Sequence, residues 1–215
     1  MATLGVCAPD PPADGTRYYM ILMGGHGQRF RPRTAHTWAT YVKATPNAPL
    51  EQFTISWLPV SREVRPISFR PEPGTNLSLQ QTLDLMITGN HRVSMWGPFE
   101  IPQYFFEESQ RQKSFLDSGA VMYRVISVRD VNPNTSHCVH AITRADPALD
   151  RATRPIVMYG EAVSQRVANG LAQTGIVAQP NVTHDWLIPA LNLERYKLKR
   201  EPVGQPGLIH LLPRR

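Results

Sequence analysis

Cys138 and the histidines that accompany it are the residues of this sequence best suited to chemistry. Cys138 lies in the segment His137-Cys138-Val139-His140-Ala141, and His36 opens a β-rich segment far upstream that contains Trp38 and Tyr41. A thiol becomes a nucleophile when a base takes its proton, and histidine is the usual base. The alternative is a small buried thiol without chemistry, because cysteine is among the residue types most often buried.

The residues that precede Cys138 indicate a turn and then a helix. Asn132-Pro133-Asn134-Thr135-Ser136 is rich in turn-forming residues, and Ser136 is a suitable N-cap for a helix that begins near Cys138. The positive end of a helix favours a thiolate and can lower the thiol pKa from about 8.5 to about 3.5–7.5. The first backbone N–H groups of such a helix also bind an oxyanion. We therefore expect Cys138 as nucleophile and His36 as general base.

The rest of the chain has to position these two side chains. Three segments have the apolar or alternating patterns of strands, and together they predict an antiparallel meander: 18–23, 36–43 and 51–58. Three segments have helical periodicity: 76–88, 102–117 and 161–173. Ser78 and Gln81 predict a capping box at the start of the first helix. Residues 24–35 combine glycines with arginines and predict a flexible basic loop.

A third residue is expected to orient the imidazole of His36. The polar face of segment 51–58 offers Gln52, Thr54 and Ser56 for this role, although polar residues on a strand face are often simply exposed to solvent. His36, His137, His140 and Cys138 could alternatively bind zinc, but a single Cys-x-His pair lacks the second close pair of a zinc site. We therefore predict no metal and no cofactor.

Composition limits the kind of protein. The 215 residues include 20 prolines, two cysteines and a net charge of +6, which suits one domain with many loops and no disulfide framework. We expect a flexible leader over 1–16, a single domain over 17–215 and an inserted helical segment around 75–118. Neither a secretory signal nor a membrane span is predicted, and the expected location is the cytoplasm. Nucleic acid is not an expected partner, because no recognition motif accompanies the basic residues.

Three motifs resemble those of the circularly permuted papain-like proteins, the group that includes the lecithin retinol acyltransferase-like enzymes. The matching residues are His36-Thr37-Trp38-Ala39-Thr40-Tyr41, then His137-Cys138-Val139-His140-Ala141, then Tyr159-Gly160. The histidine precedes the cysteine, which reverses the order of ordinary papain-like enzymes. The chain departs from the family pattern at Thr37, an extra residue, and at His137 and Val139, where the family has Asn and Glu. Residues 60–118 have no counterpart in the family.

The resemblance implies an α+β fold in which a nucleophile-bearing helix packs on an antiparallel sheet. It implies Cys138 as nucleophile and His36 as base, with Ser56 or Thr54 as the third residue. Because one extra residue reverses side-chain direction along a strand, we expect a bulge or a strand start at Thr37 that turns His36 back towards Cys138.

The expected activity is hydrolysis or transfer at an acyl or amide bond of a small substrate or a peptide. We expect substrate contacts from Arg29, Arg31, Arg33, Trp38 and His140, since arginines bind carboxylates well. The alternative is a non-catalytic papain-like module that binds an acidic partner through its basic surface.

Overall fold

Antiparallel pairing dominates the structure, a computed structural model that describes residues 6–7, 12–27, 35–64, 70–125, 134–154 and 160–204. Its strands are β1 (Val6–Cys7), β2 (Arg17–Gly27), β3 (His36–Ala44), β4 (Glu51–Ile55), β5 (Trp57–Pro59), β6 (Glu72–Asn76), β7 (His91–Ile101), β8 (Met122–Tyr123), β9 (Thr135–Ser136), β10 (Val182–Thr183) and β11 (Leu198–Arg200). Its helices are α1 (Leu79–Thr88), α2 (Gln103–Asp117), α3 (Cys138–Thr143), α4 (Pro147–Ala152), α5 (Glu161–Gln173) and α6 (Leu187–Ala190). The mixed α+β class with antiparallel sheets is confirmed.

The main sheet has the strand order β11-β7-β2-β3-β4, and β2, β3 and β4 form the predicted antiparallel meander. The single strand predicted over 51–58 is wrong, because the chain leaves the sheet at Ser56 and continues as β5 in a second sheet of order β5-β6-β8-β9. The Ser56 N–H donates to the side chain of Asn76. A side-chain acceptor thus satisfies the backbone at the point where the strand breaks.

Helices cover both faces of the main sheet, and successive residues of β3 point to opposite faces. Ala39 and Tyr41 belong to one hydrophobic cluster together with apolar residues of α2, α3, α4 and α5. Trp38 and Val42 belong to a second cluster together with apolar residues of α1 and α6. We call these two sides the α3 face and the α1 face.

All three predicted helices are present, although α1 begins at Leu79 rather than at residue 76. The first begins after Ser78, whose side chain accepts from the Gln81 N–H while the Gln81 side chain accepts from the Ser78 N–H, so the capping box is confirmed. The other two, α2 and α5, lie within one residue of the predicted ends. The segment 75–118 is not helical throughout, since β7 lies between α1 and α2 and pairs with β2 inside the main sheet.

Two expectations about loops are corrected by strand pairing. Val6–Cys7 is a strand paired with β10, although an irregular leader was expected over 1–16. Gly24, Gly25 and Gly27 belong to β2 rather than to a flexible loop over 24–35. Gly24 packs closely against α5: a Cβ atom at this position would lie 2.3 Å from Oγ of Ser164. Residues 28–34, which include Arg29, Arg31 and Arg33, lie outside the described residues.

The described helices are all too short or too polar to span a membrane. The longest, α2, has 15 residues and carries several charged side chains.

The close approach of β2 and α5 gives a prediction about stability. We expect Gly24→Ala to lower the free energy of unfolding by about 1–3 kcal/mol, because the new methyl group collides with Ser164. In a Ser164→Gly background the same substitution should cost clearly less. Urea unfolding of the four proteins measures the coupling, and equal costs in both backgrounds would contradict the packing described here.

Candidate active site at Cys138 and His36

Helix α3 begins at Cys138, but its N-cap is His137 rather than the predicted Ser136. The Nδ1 atom of His137 accepts from the His140 N–H at 3.4 Å, and the two rings stack with centroids 4.0 Å apart. Ser136 instead lies in β9, where its hydroxyl donates to the His137 carbonyl. Burial, followed by the neighbouring His140, lowers the pKa of His137 well below its ordinary value. His137 is therefore a neutral cap.

Cys138 is a free thiol with a partly exposed side chain. Burial raises its pKa, and the backbone N–H groups of Thr37, Val139 and Cys138 itself oppose this by hydrogen bonding to the sulfur. Because the burial effect is larger, the lowered thiol pKa expected at the helix N-terminus is not found. Cys138 is thus a protonated thiol near pH 7, surrounded by donors that would stabilise its anion.

The contact with Thr37 brings the two chemical motifs of the sequence together. Thr37 immediately follows His36 in β3, and its backbone N–H reaches the sulfur of Cys138. Helix α3 packs against β3, β4 and β5, which holds this contact in place. Tyr123 also lies nearby, because Cys138 contributes, after burial, to the raised pKa of its phenol.

His36 is the first residue of β3 and is buried. Its Nε2 atom lies 2.9 Å from Ser56 Oγ, and its ring stacks on Trp38 with centroids 5.5 Å apart. Burial lowers the pKa of His36 from 6.5 to about 3, so the ring is neutral near pH 7. Its Nδ1 atom is buried and has no hydrogen-bond partner among the described residues.

Ser56 is the polar residue of the following segment that contacts His36. Its hydroxyl oxygen also lies 2.9 Å from Oγ1 of Thr82 in α1. Thr54, the other candidate, bonds to Thr40 across the β3–β4 pair instead. The structure thus brings His36 and Ser56 together and adds Thr82 as a third member.

The bulge expected at Thr37 is absent. β3 pairs with β2 without interruption from Gly25↔His36 to Arg17↔Ala44. His36 therefore faces α1, and Thr37 faces α5, where its hydroxyl lies 2.9 Å from Ser164 Oγ. Among the described contacts no hydrogen bond joins His36 to Cys138, since Nε2 is bound to Ser56 and Nδ1 has no partner. His36 lies on the α1 face, and Cys138 packs against the cluster on the α3 face.

Two residues expected to contact substrate, Trp38 and His140, have buried side chains, and their role in substrate binding stays a prediction. Trp38 is completely buried in the cluster on the α1 face, where it supports the ring of His36. His140 is 5% exposed and packs on His137. The three expected arginine contacts, Arg29, Arg31 and Arg33, fall outside the described residues.

The described side chains do not assemble a metal site. No group of three or more His, Cys, Asp or Glu residues is placed to hold an ion within the ranges that the structure describes. His36 faces α1, whereas His137 and His140 belong to α3.

Thr82 was missed by reasoning from the sequence, although a signal was present. It lies at the i+3 position between Leu79 and Met86, within the buried stripe of α1. A threonine in an apolar stripe has a buried hydroxyl, which needs a partner. That requirement pointed to a polar side chain on the sheet beneath α1.

Comparison with known proteins gives no relative for this chain: no protein-family model, no curated protein and no solved structure matches it. The resemblance to the permuted papain-like proteins stays a prediction from three short motifs. The chemistry of the site is therefore argued from contacts, burial and charge.

The neutral, buried state of His36 predicts how stability depends on pH. Unfolding lets His36 bind a proton below its ordinary pKa of 6.5, while the folded protein binds it only near pH 3. Stability should therefore fall as the pH falls from about 6.5, by about 1.4 kcal/mol per pH unit for this one group. His36→Gln should reduce that slope by about 1.4 kcal/mol per pH unit, because one proton fewer is bound on unfolding.

Denaturant unfolding between about pH 4 and about pH 9 measures the effect. Above about pH 7.5 the curves of the two proteins should run parallel, because histidine is then neutral in both states. Equal slopes in the acid range would show that His36 titrates normally in the folded protein.

Proposed function

We propose that this protein is a cysteine-dependent enzyme that hydrolyses or transfers at an acyl or amide bond. Cys138 is the nucleophile, His36 is the general base and Ser56 orients the imidazole. One observation carries the proposal: the backbone N–H of Thr37, the residue that follows His36, is close enough to the sulfur of Cys138 to lower the pKa of the thiol. The sulfur of Cys138 and the ring of His36 thus both lie near the start of β3. Nε2 of His36 contacts Ser56, and its Nδ1 has no hydrogen-bond partner among the described residues.

The reaction would proceed through a thioester. The sulfur of Cys138 attacks the carbonyl carbon, and the thiol proton passes to Nδ1 of His36. As the bond to the leaving group breaks, His36 returns this proton to it, and water or another nucleophile then attacks the thioester. The N–H groups of Cys138 and Val139, at the start of α3, are suitable donors for the developing oxyanion.

Both reacting groups are neutral before substrate binds. The pKa of Cys138 is raised and that of His36 is lowered, each mainly by burial. Proton transfer must therefore accompany attack rather than precede it. Nδ1 has to move within about 3 Å of the sulfur for this step, and catalytic contacts commonly tighten in this way when substrate binds.

The proposal includes the permuted papain-like architecture that the motifs suggest. The order of histidine on a strand, a polar residue on the next segment and cysteine at a later helix start is common to this chain and that family. Whether the product is hydrolysed or transferred depends on the nucleophile that reaches the thioester. The reducing cytoplasm, our proposed location, would keep Cys138 as a thiol.

A second candidate is a non-catalytic module of the same architecture that binds an acidic partner. The neutral state of Cys138 and His36 favours it, because a thiolate–imidazolium pair is absent at rest. The net charge of +6 would attract an acidic surface. The two candidates differ in whether Cys138 forms a covalent acyl adduct.

The decisive experiment measures acylation of Cys138 by p-nitrophenyl acetate. In a Cys7→Ser protein, Cys138 is the only thiol, and mass spectrometry after a brief reaction should locate the acetyl group on it. We expect His36→Gln to slow acylation by about 100-fold or more, the usual range for a lost general base. Cys138→Ala should form no adduct at this position.

His184→Gln is a matched control, since His184 lies against Tyr19 and away from Cys138. It should acylate at the rate of the parent protein, and urea unfolding should confirm that each variant is folded. An unchanged rate in folded His36→Gln would contradict catalysis and favour the binding module.

A further inference from the structure

We infer that Ser164 of α5 is a positioning residue for the proposed nucleophile, because its hydroxyl holds Thr37 beside the sulfur of Cys138. Its role in catalysis rests on the proposed function, whereas its effect on the thiol can be measured without an acyl substrate. Ser164 is completely buried, and its hydroxyl contacts that of Thr37, which is also buried. A bond between α5 and β3 thus reaches the thiol through one residue.

Two contacts fix the hydroxyl group of Ser164. Its Oγ atom donates to the carbonyl oxygen of Gly160, the N-cap of α5, at 3.1 Å. The same Oγ lies 2.9 Å from Oγ1 of Thr37. A serine hydroxyl has a single hydrogen, and the contact with Gly160 uses it, so the hydrogen between the two hydroxyl groups comes from Thr37. The side chain of Thr37 is therefore the donor, and Ser164 is its acceptor.

Ser164 can lie this close to the sheet because its neighbour on β2 is a glycine. Gly24 pairs with Thr37 in the β2–β3 ladder. A Cβ atom on Gly24 would lie 2.3 Å from Oγ and 2.8 Å from Cβ of Ser164. The serine thus lies over this one pair of residues, where the glycine leaves room for it and the threonine donates to it. Since both hydroxyl groups are buried, water does not compete for their bond.

Thr37 links α5 to the thiol because its two polar groups point in different directions. Its hydroxyl faces α5, while its backbone N–H lies near the sulfur of Cys138 and lowers the pKa of the thiol. The last pair between β3 and β4 is Ala39↔Ile55, and α3 packs against this end of the sheet. A β-branched side chain has few rotamers, so a bond to the hydroxyl of Thr37 also restrains its backbone.

A restrained N–H group near the sulfur acts twice in the proposed reaction. The sulfur gains negative charge as its proton leaves during attack on the carbonyl carbon, and again when it departs from the thioester. A donor that is already in place stabilises both states without reorganisation. In this reaction the N–H groups of Cys138 and Val139 bind the substrate oxygen, and the N–H of Thr37 serves the sulfur itself.

The test is the pH dependence of Cys138 alkylation by iodoacetamide in a Cys7→Ser protein, where Cys138 is the only thiol. The rate follows the thiolate fraction and therefore reports the pKa of the thiol. Thr37→Val keeps the shape of the side chain and the backbone N–H but removes the hydroxyl. We expect it to raise the thiol pKa by about 0.5–1 unit, which slows alkylation at about pH 8 by about three- to tenfold.

Four further variants separate positioning from general damage to the fold. Ser164→Ala removes the acceptor of the Thr37 hydrogen and should give the same shift as Thr37→Val. The double variant should shift no further, because both substitutions remove one bond. Thr37→Ser restores the hydroxyl and should keep the parental profile. Thr40→Val is the matched control, since it removes an equally buried hydroxyl of β3 whose partner is Thr54, and it should leave the titration of Cys138 unchanged.

Urea unfolding should confirm that each variant is folded. A parental pH profile in Thr37→Val and Ser164→Ala would overturn the inference. A double variant that shifts by the sum of the two single shifts, or an equal shift in Thr40→Val, would overturn it as well. If one of the two single variants does not fold, the other decides the question against Thr40→Val.

The two proposals fail separately, because alkylation of the thiol needs neither an acyl substrate nor His36 as base. The expected shifts combined with no acylation of the parent protein by p-nitrophenyl acetate would refute the proposed activity and leave the role of Ser164 intact. Acylation of Cys138 that depends on His36, combined with unshifted titrations, would keep the proposed activity and refute the role of Ser164.

Discussion

The uninterrupted register of β3 is the constraint on which the site depends. Because β3 is paired with β2 along its whole length, neighbouring residues must point to opposite faces. His36 therefore turns to α1, and Thr37 turns to α5. The backbone N–H of Thr37 lies in the plane of the sheet, near the sulfur of Cys138. A bulge would have placed both reacting side chains on one face. The regular strand instead divides the site between two helical layers that meet at its first residues.

This division explains the electrostatics of the site. Each layer is apolar, so the uncharged forms of both His36 and Cys138 are favoured, and each pKa moves away from the value that an ion pair would give. The polar groups supplied by the fold stabilise these side chains without ionising them. Three backbone N–H groups approach the sulfur, and two hydroxyl groups support the imidazole. The resting site is accordingly neutral, and backbone donors surround the sulfur.

The sequence predicted what local patterns control. The capping box at Ser78, the boundaries of α5 and the meander of β2, β3 and β4 follow from capping residues and periodicity within a few neighbouring positions. The start of α3 at Cys138 was likewise predicted, although the choice between Ser136 and His137 as cap depended on the pairing of β9 with β8. Ser56 was one of three polar candidates, with Gln52 and Thr54, in the segment that follows His36. Burial was not predictable from these patterns; it reversed the expected shift in the pKa of Cys138, and it encloses Trp38 completely.

The segment that lacks a counterpart in the resembled family is the one that completes the support of His36. Residues 75–118 supply β7, which pairs with β2 in the middle of the main sheet, and α1, which covers the ring of His36. If β3 were turned over, the side chain of His36 would point to α3. Helix α1 would then not need to supply a polar partner for it. With Thr37 present, the imidazole enters the α1 layer, and a buried nitrogen there needs a buried partner. The hydroxyl groups of Ser56 and Thr82 meet that requirement. The extra residue in the motif and the polar residue in the apolar stripe of α1 are therefore two parts of one structural solution.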